Sequence, residues 1–365
     1  MKIQAAVTRQ KHAPMSIETL TLEAPRDDEI LVKLVATGIC HTDIAMRDQA
    51  FPVPQPIVLG HEGAGIVERV GKAVRKVAPG DHVLMTFNSC GHCPSCDHGA
   101  PTYCHDFFGR NFAGGRSDGT SALAKDGHSI HGNFFGQSSF ATHALCREAN
   151  VVKVRADVAL ESLAPLACGV QTGAGAIINV LKPGPGASLA VFGTGSVGLS
   201  AIMAARLIGV STIIGIDRNE SRLALARELG ATHTINAAED VGAKIAETTG
   251  WGVDFSFDTT GNAKVIRLAV DCLAPRGSCG IVGASDAGTE ITLDALHIMT
   301  GGRTLRGIVE GESHFDVFVP ALIDLFVQGR FPLDRLVTYY PFERINDAIA
   351  DSETGAVVKP VLRFG

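Results

Sequence analysis

Four cysteines that lie close together in the sequence are the first residues that could perform chemistry. Cys90, Cys93, Cys96 and Cys104 occur within one short segment, and the glycines and proline between them allow tight turns. Four thiolates suit a closed, tetrahedral zinc site that stabilises the fold, because no coordination position remains for a substrate. An iron–sulfur cluster is the alternative that a four-cysteine set leaves open. The softness and spacing of the ligands favour a structural zinc ion.

A second group of candidate metal ligands is dispersed along the chain. Cys40 lies in GICHTD, His61 in GHEGAG and Cys168 in LACGVQTG. Two thiolates and one imidazole are typical of a catalytic zinc site, which keeps its fourth position open for water or an alcohol. Taken singly, a buried cysteine is more often a packed thiol and a histidine more often a hydrogen-bonded structural residue. Sequence spacing alone does not bring the three together.

A glycine-rich turn between an apolar strand and a helix predicts a dinucleotide site. The strand ASLAVF precedes the turn, which consists of Gly193, Thr194, Gly195, Ser196, Val197 and Gly198. The amide groups at the start of the following helix would bind a pyrophosphate. Asp217 ends the next strand, where a carboxylate accepts from ribose hydroxyls and repels a 2′-phosphate. This pattern favours NAD over NADP, although Arg218 and Arg222 lie close by.

Composition and charge exclude several other classes of protein. The chain has 365 residues, of which 45% are apolar and 19% charged, with 41 glycines, as expected for a two-domain α/β enzyme. A net charge of −6 without a basic run disfavours nucleic acid as a partner. No secretory signal is recognisable, so we expect a cytoplasmic protein whose cysteines bind metal. The uncharged stretch 183–205 is interrupted by glycines, and we interpret it as a buried strand, turn and helix rather than a membrane span.

The elements that must position these residues change character near residue 170. Before it, short β-rich segments such as EILVKLVATGI and DHVLMTF predominate, with a polar loop at 109–128. After it, strands and helices alternate, which predicts a doubly wound parallel sheet. The tail beyond 310 is too short to be a domain, so we expect it to pack onto the N-terminal part.

The order and content of GICHTD, GHEGAGIVERVG, the four-cysteine loop, LACGVQTG, GTGSVG and PVLRF resemble the zinc-dependent medium-chain alcohol dehydrogenases. The resemblance spans nearly the whole chain, and HGNFFGQSSFATHAL makes it most similar to the aryl (benzyl) alcohol dehydrogenases. It implies a GroES-like, mostly β catalytic domain at 1–169, completed by 310–365, and a Rossmann domain at 170–309. It also implies NAD, two zinc ions per chain and a homo-oligomer, either dimer or tetramer.

The resemblance assigns roles to individual residues. Cys40, His61 and Cys168 match the catalytic zinc ligands, and Glu62 matches an acid that ligates the metal transiently. Asp43 matches the carboxylate that orients His61, and Thr42 matches the hydroxyl that receives the proton of the alcohol. The positions that match cofactor contacts are His41, Thr172, Val197, Val282 and Lys359.

Two departures from the family concern the proton and the phosphates. Ala45 stands where many relatives have a histidine that delivers the proton to solvent, so water or a ribose hydroxyl must take that role. His41 stands where many relatives have an arginine that contacts the pyrophosphate. We therefore expect the backbone amides and Lys359 to carry more of the phosphate binding.

Aromatic residues at matching pocket positions predict the kind of alcohol. Phe51, Phe87, Phe134 and Phe135 match residues that line the alcohol site, although each could equally belong to the core. We expect NAD-dependent oxidation of aryl or allylic terpenoid alcohols. The alternatives are an S-(hydroxymethyl)glutathione (formaldehyde) or general primary alcohol dehydrogenase, a polyol dehydrogenase, which Cys168 disfavours, and a catalytically silent NAD- and zinc-binding protein.

Overall fold

The computed structural model describes residues 1–365, which form two compact units. Unit 1 comprises residues 1–168, 314–327 and 334–365, and unit 2 comprises 169–313 and 328–333. The sequence-based boundaries lie within a few residues of the first two transitions. The return of 328–333 to unit 2 was not predicted, because so short a segment has no periodicity of its own.

Eighteen strands occur along the chain. They are β1 (Lys2–Thr8), β2 (Ser16–Leu22), β3 (Glu29–Gly38), β4 (Ile57–Val58), β5 (Glu62–Val70), β6 (His82–Met85), β7 (Leu123–Lys125), β8 (His128–Ile130), β9 (His143–Arg147), β10 (Val151–Lys153), β11 (Ser188–Phe192), β12 (Thr212–Asp217), β13 (His233–Asn236), β14 (Val253–Asp258), β15 (Leu273–Ile281), β16 (Thr304–Gly307), β17 (Val337–Pro341) and β18 (Lys359–Arg363).

Twelve α-helices accompany them, several only one turn long. They are α1 (His41–Arg47), α2 (Pro94–Asp97), α3 (Phe107–Phe112), α4 (Leu160–Leu163), α5 (Gly169–Gly175), α6 (Ser196–Leu207), α7 (Glu220–Leu229), α8 (Val241–Thr249), α9 (Ala263–Asp271), α10 (Ala295–Gly301), α11 (Phe315–Val327) and α12 (Ile345–Thr354).

Unit 1 is mostly β, as the sequence predicted. One sheet has the order β4-β1-β2-β7-β8, and a second has β10-β6-β5-β3-β18-β17 with β9 also paired to β3. The central strand β3 is almost entirely buried, and Lys33 is its one exposed residue. The C-terminal strand β18 pairs antiparallel with β3, with Val361 opposite Gly38. The tail therefore completes the N-terminal sheet, which confirms that part of the predicted fold.

Unit 2 is a doubly wound domain. Its sheet has the order β13-β12-β11-β14-β15-β16, and every pairing is parallel. The strand order reverses between β11 and β14. Ligands of such sheets bind at this point, outside the carboxyl ends of the strands. A core that includes Phe192, Ile214 and Ile216 holds the sheet and its helices together.

Two segments test the sequence interpretation closely. The uncharged stretch 183–205 forms β11, a turn and the buried helix α6, as predicted. The loop expected at 109–128 instead contains the end of α3 and the start of the β7–β8 hairpin. Its glycines and polar residues hid these short elements. No single helix is long and apolar enough to span a membrane, and one bent pair, 160–167 with 169–181, meets that criterion by length and composition only.

Candidate functional site

Four potential metal ligands converge in unit 1. Cys40 directly precedes α1, His61 directly precedes β5, and Cys168 follows a short 3₁₀ turn. The ligand atoms of Cys40, His61, Glu62 and Cys168 all lie within 4.8 Å of one another. The fold thus brings together residues that sequence spacing could not.

The chemistry of this cluster fits a metal ion. The imidazole of His61 is fully buried, and its Nε2 atom has no hydrogen-bond partner. A buried polar atom without a hydrogen-bond partner is energetically costly. Coordination of a metal ion by this nitrogen would remove that cost. The neighbouring thiol of Cys168 is the main cause that lowers the pKa of Cys40 well below its usual value despite burial, and the charges of Lys359 and His61 act in the same direction. A thiol that ionises readily is suited to zinc binding.

Asp43 fixes both protein ligands that flank it. Its Oδ1 atom accepts from Nδ1 of His61 at 2.9 Å and from the amide of Gly60 at 3.0 Å. Its Oδ2 atom accepts from the amide of Cys40 at 3.0 Å. The carboxylate is fully buried. A bond from Nδ1 leaves Nε2 as the free nitrogen, which is the tautomer that a metal ligand requires.

Glu62 has a partner that the sequence did not indicate. The ammonium group of Lys359 lies 2.7 and 2.8 Å from its two carboxylate oxygens and 3.1 Å from the carbonyl of Ile39. Burial alone would lower the pKa of Lys359, but the charges of Glu62, Cys40 and Cys168 and the hydrogen bonds to Glu62 together outweigh it, and the net shift is upward. Burial raises the pKa of Glu62, and Lys359 opposes this shift. In this structure, these three acceptors engage the ammonium group of Lys359. The phosphate contact expected for Lys359 stays a prediction.

Gly38 makes room for this ion pair. A Cβ atom at position 38 would lie 2.0 Å from Oε2 of Glu62. Any side chain there would displace the carboxylate, so the TG dipeptide at the end of β3 is a steric requirement of the site.

Thr42 and His41 lie at the start of α1. The Oγ1 atom of Thr42 is 3.8 Å from the sulfur of Cys40, and Thr42 is half-buried whereas His41 is exposed. The hydroxyl is therefore next to the metal ligands, and Ala45, one turn further, offers no group that can carry a proton.

The four-cysteine segment forms a second cluster in unit 1. All four sulfur atoms lie within 4.8 Å of one another, and none forms a disulfide. The sulfur of Cys96 is 3.9 Å from that of Cys90 and 3.6 Å from that of Cys93. A tetrahedral ion with Zn–S bonds of ~2.3 Å separates its ligands by about 3.8 Å. The spacing fits a single ion, which favours zinc over a multinuclear cluster.

Backbone amides point at these sulfur atoms. The amide of Cys93 donates to Cys90 at 3.2 Å, that of Cys90 to Cys104 at 3.3 Å, and that of His105 to Cys93 at 3.4 Å. Hydrogen bonds from the amides of His105 and Cys96 lower the pKa of Cys93 to about 6. Burial raises the pKa of Cys104 to about 12, so a cation is needed to keep all four as thiolates.

The glycine-rich turn of unit 2 has the geometry of a phosphate-binding loop. Gly193 follows β11 with φ of 90°, and a Cβ atom on Gly198 would lie 1.9 Å from the carbonyl of Gly193. A Cβ atom on Gly195 would meet nothing within 4 Å, so this face is open for the approach of a ligand. Ser196, the first residue of α6, has a buried hydroxyl without a hydrogen-bond partner. A phosphate at the helix start would satisfy it.

Asp217 lies at the end of β12, next to this turn. Its Oδ2 atom accepts from the amide and hydroxyl of Thr194 at 2.7 and 3.0 Å, and Oδ1 accepts from the amide of Asn219 at 3.0 Å. The carboxylate is half-buried and retains lone pairs for further donors. Arg218 is exposed, and Nε of Arg222 is buried without a partner.

Three further predicted cofactor residues lie in unit 2. Thr172 in α5 is buried, and its hydroxyl donates to Oε2 of Glu310 at 3.2 Å. Val282 follows β15, and its amide donates to the carbonyl of Asp258 at 3.0 Å. Val197 is half-buried in the first turn of α6. Sequence analysis missed Glu310, a buried acid with a left-handed backbone, because its charged neighbours Arg306 and Glu312 leave it without a distinguishing signal.

Aromatic rings cover His61. The Phe135 ring is stacked on the imidazole with centroids 4.5 Å apart, and the Phe134 ring meets it edge-on at 5.6 Å. Phe87 is fully buried against Phe315 at 5.2 Å. Phe51 is half-buried.

The aromatic cluster continues into α3, which sequence analysis did not identify. Phe112 lies 5.2 Å from Phe135 and 6.2 Å from Phe51, and Phe51 is stacked on Phe108 at 5.7 Å. Phe107 contacts Phe135 at 6.4 Å. The aromatic segment FFGRNF, three residues after Cys104, was the available signal. The cluster extends from the buried His61 to Phe108, which is 61% exposed.

Comparisons with known proteins agree with this geometry. Residues 26–156 match the alcohol dehydrogenase GroES-like domain, and residues 196–328 match the zinc-binding dehydrogenase family. The chain is 49% identical to geraniol dehydrogenase of Castellaniella defragrans, over 99% of this chain and 97% of the relative.

Solved structures give the same result. The crystal structure of benzyl alcohol dehydrogenase from Acinetobacter calcoaceticus is 48% identical, with a TM-score of 0.97 and full coverage of both chains. An alcohol dehydrogenase zinc-binding domain protein from Burkholderia ambifaria is 53% identical, with a TM-score of 0.98, over 100% of this chain and 99% of that one. These comparisons cover the segments that carry both cysteine clusters and the glycine-rich turn. The chain therefore belongs to the family of zinc-binding alcohol dehydrogenases that have a GroES-like domain.

Proposed function

We propose that this enzyme oxidises bulky, apolar primary alcohols of the aryl or allylic terpenoid kind to aldehydes, with NAD as the hydride acceptor. The observation that carries the proposal is the aromatic cluster against His61, because flat or extended apolar molecules gain most from aromatic walls. Two relatives are named for geraniol and benzyl alcohol, which supports the same substrate class.

The proposed metal site uses Cys40, His61 and Cys168 as ligands. A zinc ion bound there would supply Lewis acidity that favours loss of the hydroxyl proton of the alcohol. Asp43 keeps the imidazole in the required tautomer. Lys359 pairs with both carboxylate oxygens of Glu62. This pairing places the carboxylate beside the three ligands without leaving an unpaired charge in the interior.

The proton and the hydride leave the alcohol separately. Among the predicted catalytic residues only Thr42 has a hydroxyl, and its Oγ1 atom lies next to the sulfur of Cys40. This hydroxyl would accept the proton. Because Ala45 cannot carry the proton further, water or a ribose hydroxyl would pass it to solvent. Bound NAD would serve as the acceptor for the hydride from the carbinol carbon. Asp217 and the open face of Gly195 support NAD as the preferred cofactor, and Arg218 and Arg222 are the residues through which NADP could compete.

A second zinc ion is proposed at Cys90, Cys93, Cys96 and Cys104, which gives two per chain. The homo-oligomeric state and the cytoplasmic location stay predictions.

The decisive experiment measures NAD reduction by the purified, metal-analysed protein with geraniol, benzyl alcohol and ethanol in parallel. We expect two zinc ions per chain and a kcat/KM for the bulky alcohols well above that for ethanol. The Cys168→Ala variant should lose turnover while NAD binding remains. Preference for ethanol or S-(hydroxymethyl)glutathione would refute the substrate class, and no turnover with any alcohol would refute the catalytic assignment.

A further inference from the structure

A strained turn adjoins the proposed metal site. Between residues 133 and 138, the φ angles of Asn133, Phe135, Gly136 and Ser138 are 60°, 50°, 67° and 58°. Asparagine and glycine tolerate this region, but a bulky residue such as phenylalanine rarely adopts it. Such conformations persist where the surrounding structure enforces them, and they occur preferentially at functional sites.

The strained residue is the one whose ring covers His61. The Phe135 ring lies 4.5 Å from the imidazole at an interplanar angle of 28°. The bond from Nδ1 to Asp43 fixes one atom of the imidazole, but the ring can still tilt about that bond. A stacked ring restrains the remaining tilt. The two contacts together set the direction in which Nε2 points.

Asn150 holds the backbone of this turn. Its Nδ2 atom lies 3.2 Å from the carbonyls of both Phe135 and Gly136, and its Oδ1 atom accepts from the amide of Arg147 at 2.9 Å. Asn150 is fully buried. A side-chain amide has two N–H donors, which matches the two carbonyls that the left-handed turn directs inward. A Cβ atom at position 136 would lie 2.9 Å from this Nδ2 atom, so the glycine admits the amide.

Gln137 ties the same turn to the backbone on either side of Glu62, at the start of β5. Its Nε2 atom donates to the carbonyls of His61 at 2.9 Å and Met85 at 3.0 Å, and its Oε1 atom accepts from the amide of Gly63 at 3.1 Å. These bonds fix the backbone on both sides of Glu62. Gln137 is 2% exposed, so water does not compete for them.

We propose that Asn150 and Gln137 are positioning residues that set the orientation of His61 toward the metal. Asn150 acts through the strained turn and the Phe135 ring, and Gln137 acts through the backbone of β5. Neither side chain belongs to the ligand cluster. The inference rests on the proposed metal role of His61 and adds to it the two amides that determine the coordination geometry.

The test replaces the metal with cobalt(II), whose visible absorption reports the geometry of its ligands. Asn150→Asp and Gln137→Glu keep the size and the accepting oxygen of each side chain but remove the donating N–H groups. We expect both variants to shift the visible spectrum of the Cys40 site and to release its metal to a chelator at least ten-fold faster. The four-cysteine site should keep its metal.

Asn346→Asp is the matched control. The amide of Asn346 likewise accepts from one backbone amide and donates to one backbone carbonyl, both of Met15 at 2.9 Å. We expect it to lower Tm without changing the cobalt spectrum. If Asn150→Asp and Gln137→Glu also lower Tm while leaving the spectrum and the release rate unchanged, their role is only structural and the proposal is overturned.

Phe135 supplies a second test in case the amide variants do not fold. Phe135→Gly and Phe135→Ala both remove the stacked ring, so both should shift the cobalt spectrum. Glycine tolerates a φ of 50°, so Phe135→Gly should have the higher Tm. An equal or lower Tm for Phe135→Gly would overturn the strained-turn mechanism. Failure of the unmodified protein to bind metal at Cys40 would overturn the proposed function as well, and this is visible before any variant is made.

Discussion

Asp43→Asn isolates the contribution of one carboxylate to the proposed metal site. The substitution keeps the shape of a side chain that accepts three N–H bonds, from His61, Gly60 and Cys40. The amide oxygen can still accept two of them. The amide nitrogen would then face the N–H of Cys40, so that two donors oppose each other in a fully buried position.

The magnitude follows from these bonds. A hydrogen bond to a charged group contributes ~1.5–3 kcal/mol, and a buried donor without an acceptor costs ~1–3 kcal/mol. Part of this loss affects the fold, and the remainder affects His61. Removing the partner of a ligating histidine typically weakens metal binding or activity 10- to 100-fold, which corresponds to ~1.4–2.7 kcal/mol. We therefore expect a loss of this size in zinc affinity at the Cys40 site.

The assay follows zinc release to a chelator together with kcat for NAD reduction. Asp240→Asn is a suitable control, because Asp240 also accepts from a backbone amide, that of Ala243 at the start of α8, and an asparagine caps a helix equally well. Unchanged zinc release and unchanged turnover in Asp43→Asn would refute the reasoning that the carboxylate governs His61.

Three further variants test other parts of the molecule. Cys104→Ser should remove one zinc ion per chain and lower Tm by several degrees without abolishing binding at the other site, as measured by metal analysis and thermal unfolding. Asp217→Ala should reduce the preference for NAD over NADP at least ten-fold in kcat/KM; an unaltered ratio would show that the carboxylate does not contact the ribose. Hydrogen bonds from Arg9 lower the pKa of Glu18 from 4.5 to about 2. Glu18 therefore stabilises the fold above pH ~4.5, by ~3 kcal/mol at most. This contribution is lost as the pH falls toward 2. Glu18→Gln should therefore unfold at lower urea concentration at pH 7 and show a weaker loss of stability between pH 5 and pH 2; equal acid dependence would contradict this.

The features that the sequence predicted well are local. The turn from β11 to α6 follows from glycines whose roles are steric, and the alternation of strands and helices predicts the parallel sheet. The four-cysteine cluster lies within one loop, so its spacing already indicates a common ligand. In each case the interacting residues are neighbours in the chain, and their pattern carries the physical requirement.

The features that it did not predict depend on distant parts of the chain. Sequence spacing alone could not bring together Cys40, His61 and Cys168, and only the family resemblance joined them. The pairing of Lys359 with Glu62 depends on β18 joining β3. The left-handed backbone of Phe135 has no local signal, because phenylalanine disfavours it and only the surrounding amides enforce it.

The position of Lys359 has a consequence for protein synthesis. It lies 297 residues beyond Glu62, so a ribosome must synthesise all of unit 2 before the carboxylate can acquire its cation. Until then, β3 lacks its β18 neighbour and Glu62 would be a buried charge without a partner, which is strongly unfavourable. The nascent N-terminal region should therefore delay closure of its sheet, and Cys40 and His61 should remain open to metal delivery until β18 has been synthesised.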